Sequence, residues 1–515
     1  MSTQRVRAGA GRKRTLRVEH LESRLVLNGH GVMGGEAETR GPFGSHSFAD
    51  GRLDLLLDSQ CRAEYRAAES PGFGRQVAGT FFGTADADGV PAPILDVLTF
   101  NADGTFTGIG TDDFGFGDIA TNGFNGSEQG AWMRTGHRTI ATASLNFSYD
   151  ANGALGSIFV VRSEATFSED FDTLAGLFSV EIFLPAQNPL VDDPVASIPG
   201  TYNVEQFRAG DRTAGRHEAD VPPGVGQQIA GTFFGVAEAD GAPAPLLDVV
   251  TLNADGTYTG IGTDDFGFGD IATNGFNSPE HGVWVLTGPR TIATASLNFS
   301  YDANGALETI FVVRSEGMFS EGFDAFGGTF TVDIFLPTQD PLADDPVASV
   351  PGTYNVERLV AGEQTSGRQE RRVPPGTGQQ FAGTFFGVAE ADGVPAPILD
   401  VLTFHSDGTF TGIGTDDFGF GDIATNGFNS PEHGVWTRTG RRSIATASLN
   451  FSYDANGALG AVFVVRSEAT FSKDFDALTG DFTVQVFLPT QDPLSDAPVA
   501  TIMGTYSVDR LNAIG

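Results

Sequence analysis

The sequence predicts an all-β protein: three tandem antiparallel up-and-down β-barrels of about eight strands each, behind a flexible N-terminal region. Three observations carry this. First, the text repeats. The glycine of AGTFFG falls at Gly79, Gly231 and Gly383, 152 residues apart each time, and Trp132, Trp284 and Trp436 keep that phase. Second, apolar and polar residues alternate within each copy, as when Phe330, Val332, Ile334 and Leu336 interleave with Thr331, Asp333 and Phe335. Third, Asp-Gly and Asn-Gly pairs punctuate the alternating runs, and their tolerance of positive φ suits tight hairpins. The period exceeds that of a solenoid unit or propeller blade, about 20–50 residues, so each copy reads as its own domain. Copies this alike can be recent, so a residue shared by all three is not thereby marked as functional.

In chain order, residues 1–29 come first and are basic: Arg5, Arg7, Arg12, Lys13, Arg14, Arg17 and Arg24 face only Glu19 and Glu22. A basic start suggests targeting, yet no apolar h-region follows it. Residues 30–76 are rich in Gly, Ala, Ser and Glu and read as a mostly disordered linker with room for a short helix over 58–68. The barrel repeats follow at 77–208, 229–359 and 381–511. The spacers 209–228 and 360–380 carry Pro222-Pro223 and Pro374-Pro375 among charged and small residues. They predict semi-rigid connections between separate barrels, beads on a string.

Within the second repeat, strands are expected at 229–237 and 246–252, with Asn253-Ala254-Asp255-Gly256 turning into 257–261. Strands 283–287 and 291–301 flank a Gly288-Pro289 turn. In the latter, Ala293, Ala295, Leu297, Phe299 and Tyr301 alternate with Thr294, Ser296 and Asn298. Asp302-Ala303-Asn304-Gly305 leads into 306–316, followed by 318–320, 329–336 and, after an acidic loop, 353–359. No stretch has a helical period. Hairpins in series predict a meander, and closing it into a barrel removes exposed edges. A β-sandwich is the competing architecture.

Composition excludes several function classes. The formal net charge is −35. Residues 229–359 alone set 18 carboxylates against Arg290, Arg314 and Arg358. Nucleic acid and anionic lipid both need a basic face, so neither is an expected partner. Cys61, the only cysteine, precludes an intrachain disulfide. No apolar run approaches the roughly 20 residues of a membrane helix.

Two stretches resemble known families. LRVEHLESRLVL, through Glu19, Leu21, Glu22, Arg24 and Leu27, resembles the LEPR-type N-terminal segment of exported proteins in planctomycete-type bacteria, with Ser23 departing from the usual residue. That resemblance implies an extracellular or cell-surface location. Each repeat is similar to the small lipocalin-like (calycin-type) barrels of bacterial secreted proteins. The matching text is Gly231-Thr232-Phe233, Asn-x-Asp-Gly-Thr, His281-Gly-Val-Trp284, Asn-Phe-x-Tyr-Asp and a late Arg358. Phe233 stands where the lipocalin opening has tryptophan. The architecture hosts carriers, inhibitors and isomerases, so the resemblance implies fold more than function.

The candidate sites begin with segment 263–282, a connection long enough to suggest function. Asp264, Asp265 and Asp270, with Asp112, Asp113, Asp118, Asp416, Asp417 and Asp422 in the other copies, offer the hard oxygen ligands Ca²⁺ uses, without EF-hand spacing. Phe114, Phe116, Phe266, Phe268, Phe418 and Phe420 are costly to leave in water and are expected to fold, with Phe276, over the barrel mouth as a ligand-facing lid. An Ω-loop packed on its own aromatics is the competing reading. Trp132, Trp284 and Trp436 count among the ligand-binding aromatics and are also expected to close one end of each barrel.

Other tempting groups read as structural. Asp86-Ala87-Asp88-Gly89 is an acidic turn. His281 and His433 are matched by Gln129 in the first copy, which argues against a required base there. Arg162/Glu164, Arg314/Glu316 and Arg466/Glu468 read as surface charge pairs rather than ligand anchors. No nucleophile–base set repeats, so no catalytic residue is assigned and no cofactor beyond calcium is expected. Three readings remain: a secreted, non-enzymatic protein binding a small ligand or a cell-surface component; a barrel enzyme, either an isomerase of the allene-oxide-cyclase type or a hydrolase; and a structural matrix protein with filled barrels. The state of the barrel interior discriminates them.

Overall fold

The structure, a computed structural model, describes residues 71–90, 93–111, 123–150, 154–207, 225–242, 245–263, 275–360, 378–394, 397–415, 417, 427–455 and 458–511. The export-like segment, the linker up to residue 70, and both Pro-Pro pairs lie outside these residues.

The protein is all-β, and each repeat is a closed eight-strand antiparallel barrel. The first comprises β1 (Gly79–Ala87), β2 (Ile94–Phe100), β3 (Thr105–Gly110), β4 (Phe124–Asn125), β5 (Glu128–Arg134), β6 (Thr139–Tyr149), β7 (Leu155–Phe167), β8 (Thr173–Phe183) and β9 (Ala196–Phe207). Strand β9 pairs back onto β1, and β6 with β7, which closes the ring; the short β4 lies against β6. The second barrel repeats this with β10 (Gly231–Ala239), β11 (Leu246–Leu252), β12 (Thr257–Gly262), β13 (Phe276–Asn277), β14 (Glu280–Leu286), β15 (Thr291–Tyr301), β16 (Leu307–Phe319), β17 (Ala325–Phe335) and β18 (Ala348–Arg358). The third runs from β19 (Gly383–Ala391) to β27 (Ala500–Arg510).

Several boundaries differ from the sequence reading. The expected strands 306–316 and 318–320 are one strand, β16, because Gly317 pairs with both Ile292 and Gly328. Strand β18 starts at Ala348, inside the acidic stretch, where β17 supplies a full pairing partner. Ile229 ends a helical turn, Gly226–Ile229, rather than beginning a strand.

One end of each barrel is packed solid. In the second, Phe233, Leu252, Trp284, Ile292, Phe319, Phe326 and Val356 form a buried cluster with Ile229. The Trp284 indole N–H donates to the Asn253 carbonyl at 2.9 Å, so the large ring is buried without an orphaned donor. Arg358 lies 4.4 Å from the Phe233 ring centre and donates to the carbonyls of Ala230 at 2.6 Å and Phe323 at 2.9 Å. It thereby ties the strand ends to the segment plugging the barrel. In the first barrel the plug is the helix Pro71–Val77, whose Phe73 packs against Trp132.

The three barrels form a ring. The apolar face of β15 turns away from its own barrel. Leu297, Phe299 and Tyr301 share one buried cluster with Phe82, Val97 and Ile109 of the first barrel. Leu449, Phe451 and Tyr453 meet Phe234, Val249 and Ile261 of the second in the same way. Leu145, Phe147 and Tyr149 meet Phe386, Val401 and Ile413 of the third. Hydrogen bonds repeat the cycle: Thr80 Oγ1 donates to Gly282 O, Thr232 Oγ1 to Gly434 O and Thr384 Oγ1 to Gly130 O, each at 2.8 Å. Near the axis, Asp255 accepts the Ala102 N–H, Asp407 that of Ala254 and Asp103 that of Ser406. The beads-on-a-string expectation is therefore corrected. A lone barrel would leave a continuous apolar face in water, and the ring buries it three times.

Candidate functional site

With the apolar side of β6, β15 and their third-barrel counterpart spent on the seams, the polar side faces inward. It helps to line a cavity between the packed end and the end bearing the β1–β2-type turn. The second barrel encloses about 560 Å³ and the third about 450 Å³. The walls are mainly Val, Ile and Phe from the last three strands of each barrel, including Phe311, Val313 and Phe330 in the second. Against them stand Asp248, Glu280, Thr294, Ser315 and Tyr354. Asp400, Glu432, Thr446, Ser467 and Tyr506 take the same places in the third. The first barrel carries Asp96, Glu128, Thr142, Ser163 and Tyr202 at the corresponding registers.

These groups are wired together. Ser296 Oγ donates to Glu280 Oε2 at 2.8 Å, as Ser144 does to Glu128 and Ser448, at 2.9 Å, to Glu432. In the second barrel the Tyr258 hydroxyl also donates to Glu280; Phe106 and Phe410 replace this tyrosine in the other copies. A second chain runs Thr294–Ser315–Tyr354, with oxygens 2.7 and 3.4 Å apart. Burial pushes Tyr354 up from its ordinary value and Tyr506 up to about 12, the latter also raised by facing Asp400 and Glu432. Both phenols therefore stay neutral hydrogen-bond donors at physiological pH. Asn146, Asn298 and Asn450 are almost fully buried, and the Oδ1 of each has no hydrogen-bond partner. Leaving a buried acceptor unpaired costs about 1–3 kcal/mol, and it recurs in every copy.

Trp132, Trp284 and Trp436 sit in the packed end, each indole bonded to a turn carbonyl; none lines either cavity. Each belongs to the buried cluster that closes its barrel. Phe114, Phe116, Phe266, Phe268, Phe418 and Phe420 lie outside the described residues, as do Asp112, Asp113, Asp118, Asp264, Asp265, Asp270, Asp416 and Asp422. Asp417 is described. It is buried at the cavity wall and accepts the Gly414 N–H at 2.9 Å. Among the described residues no group of three His, Cys, Asp or Glu is arranged to hold a metal. Phe276 is not a lid residue: it stacks on Tyr301, 5.4 Å between centroids, within the seam to the first barrel.

The remaining groups are structural. His281 Nδ1 lies 3.3 Å from both Thr99 Oγ1 and Thr107 Oγ1 of the first barrel, so it belongs to a seam. Arg162 and Arg314 reach across to Glu181 at 3.0 Å and Asp333 at 3.5 Å on the barrel exterior. Their cross-strand partners, not Glu164 and Glu316, take the charge.

Sequence reasoning missed the inward carboxylates. A signal existed: Asp96 interrupts Ile94-Leu95-Asp96-Val97-Leu98, and a lone carboxylate inside an apolar strand requires a local reason. Compared with known family models and curated proteins, the chain matches none.

Proposed function

We propose that the protein is a secreted or surface-associated, non-enzymatic binding protein whose lipocalin-like barrels each hold a small ligand. The observation that carries this is the cavity: several hundred Å³, closed at one end, apolar on one wall and hydrogen-bonding on the other. The unpartnered Asn450 acceptor in the wall of the third cavity supports it, since an occupant would satisfy it. A filled barrel acting only as a spacer has no use for such a wall. The extracellular setting rests on the LEPR-like segment, and Ca²⁺ remains proposed for the aspartates of the long loops.

The test is native mass spectrometry of the full chain purified without denaturant. Bound small-molecule mass is expected, and Val313→Trp with Val465→Trp, which fill two of the cavities, should remove most of it. A clean apo mass that these substitutions leave unchanged sinks the reading. Calorimetric titration with Ca²⁺ tests the loop aspartates; absence of heat rejects that site.

One observation favours a second reading, an isomerase of the allene-oxide-cyclase type or a hydrolase. Both cavities gather carboxylates and tyrosine hydroxyls, Asp248, Glu280 and Tyr354 in the second and Asp400, Glu432 and Tyr506 in the third, a set able to move a proton. Under that reading the molecule recovered from Asp248→Asn/Asp400→Asn protein differs chemically from that recovered from the unaltered chain. Identical compounds would leave simple binding.

A further inference from the structure

The cavity chemistry narrows the ligand class, and this step rests on the binding reading above. We infer that the barrels take an organic cation, an amine or quaternary ammonium with an apolar body, rather than an anion such as a fatty acid. Among the described residues, the charged groups lining the second cavity are Asp240, Asp248 and Glu280, and those lining the third are Asp400, Asp417 and Glu432, with no Arg, Lys or His in either wall. Neutral polar groups on the same side add acceptors, the unpartnered Oδ1 of Asn450 in the third barrel among them. Opposite stand Phe311, Phe326 and Phe330 in one barrel and Phe463 and Phe482 in the other. An aromatic wall facing carboxylates attracts a desolvated cation twice, through the ring quadrupoles and through the opposite charges. A ligand carboxylate in the same place would sit beside like charges in a low-dielectric enclosure, which disfavours it. Apolar burial of the ligand body is common to both classes, so the charge of the head group decides between them.

The test compares three probes of equal chain length on the full-length protein: octyltrimethylammonium, octanol and octanoate. Calorimetry measures affinity on the unaltered chain and on Glu128→Gln/Glu280→Gln/Glu432→Gln. Glutamine keeps an acceptor for the serine hydroxyls, and a thermal melt of the unliganded variant verifies that it folds. The expected result is octyltrimethylammonium binding roughly tenfold or more tighter than octanoate, falling by a similar factor in the variant while octanol is little changed. Octanoate binding as tightly as the cation overturns the inference and leaves the binding reading standing. Cation binding that the three substitutions do not weaken also overturns it, since that is attraction to the acidic exterior. Failure of all three probes to bind overturns both the inference and the binding reading.

Discussion

At the residue scale, the buried titratable groups of the ring predict how stability follows pH. Burial holds His281 at about 3, and His433 also at about 3 with smaller contributions from His281 and His405. The folded state thus favours neutral imidazole. Each histidine contributes stability that is complete above its unfolded pKa of about 6.5 and is lost as pH falls toward 3. Asp255 has the opposite sign. Burial first, then Asp103 and Asp407, push it up to about 6 against the lowering hydrogen bond from Ala102. Its contribution is complete below an unfolded value near 4 and is lost as pH rises through 6. Between pH 7 and 5 the two histidines cost roughly 4 kcal/mol together, whereas Asp255 returns about 1–2, so the histidines win. The chain should lose stability on acidification across this window. His281→Gln/His433→Gln should reverse the slope, leaving Asp255 in control. Gln129 shows the exchange fits: it is buried at the matching position and accepts from Thr411 Oγ1 at 2.8 Å. Denaturant unfolding of both proteins at pH 7, 6 and 5 decides the matter. A flat profile for the unaltered chain, or an unchanged slope in the variant, would contradict the assignment.

At the scale of one element, β15 works on both faces, and adjacent residues should separate the two roles. Leu297 is fully buried in the seam, and its neighbour Ser296 points inward to Glu280. Leu297→Ala should cost about 2–5 kcal/mol of stability and leave ligand retention in the cavity unaltered. Ser296→Ala should cost about 1 kcal/mol and weaken retention. Melting temperatures and bound-ligand mass, measured on both variants, test the pair; a reversed pattern would mean the faces are misassigned. The same strand shows what the sequence could and could not disclose. Its period of two, its turn at Asp302 and its extent over 291–301 were all legible, because alternation and turn chemistry are local. Which face is interior was not, because that depends on whether the apolar side finds a partner elsewhere in the chain. Trp284 was legible as a barrel plug for the same local reason: it is large, apolar and has a single donor to satisfy. Asp248 and Glu280 share a wall only because β11 and β14 both pair with β12, a register that the local sequence of either strand does not disclose. Phe323 illustrates another non-local effect. Its φ of 59° is unfavourable for a bulky residue, and its ring packs on Phe319 at the closed end, as do its counterparts Phe171 and Phe475 with φ of 63° and 66°.

For the whole molecule, the repeat period and the ring are one fact seen twice. Every barrel carries both halves of the seam. One half is built around Thr232, Phe234, Val249 and Ile261, the other around Leu297, Phe299 and Tyr301. A head-to-tail interface of this kind closes when its rotation divides the circle, and here it closes after three copies. Covalent linkage is therefore not needed to define the assembly; it raises the effective concentration of each partner and fixes the number at three. An isolated second repeat, residues 222–361, should consequently form a homotrimer through the same seams, with light scattering giving three times its own mass at micromolar concentration. Dilution should dissociate that trimer while leaving the full chain unchanged. Leu297→Asp places a carboxylate in the seam and should abolish the trimer, exposing an apolar face prone to aggregation. A well-folded, soluble monomer from the unaltered repeat would refute the view that the seams, rather than the linkage, hold the ring together.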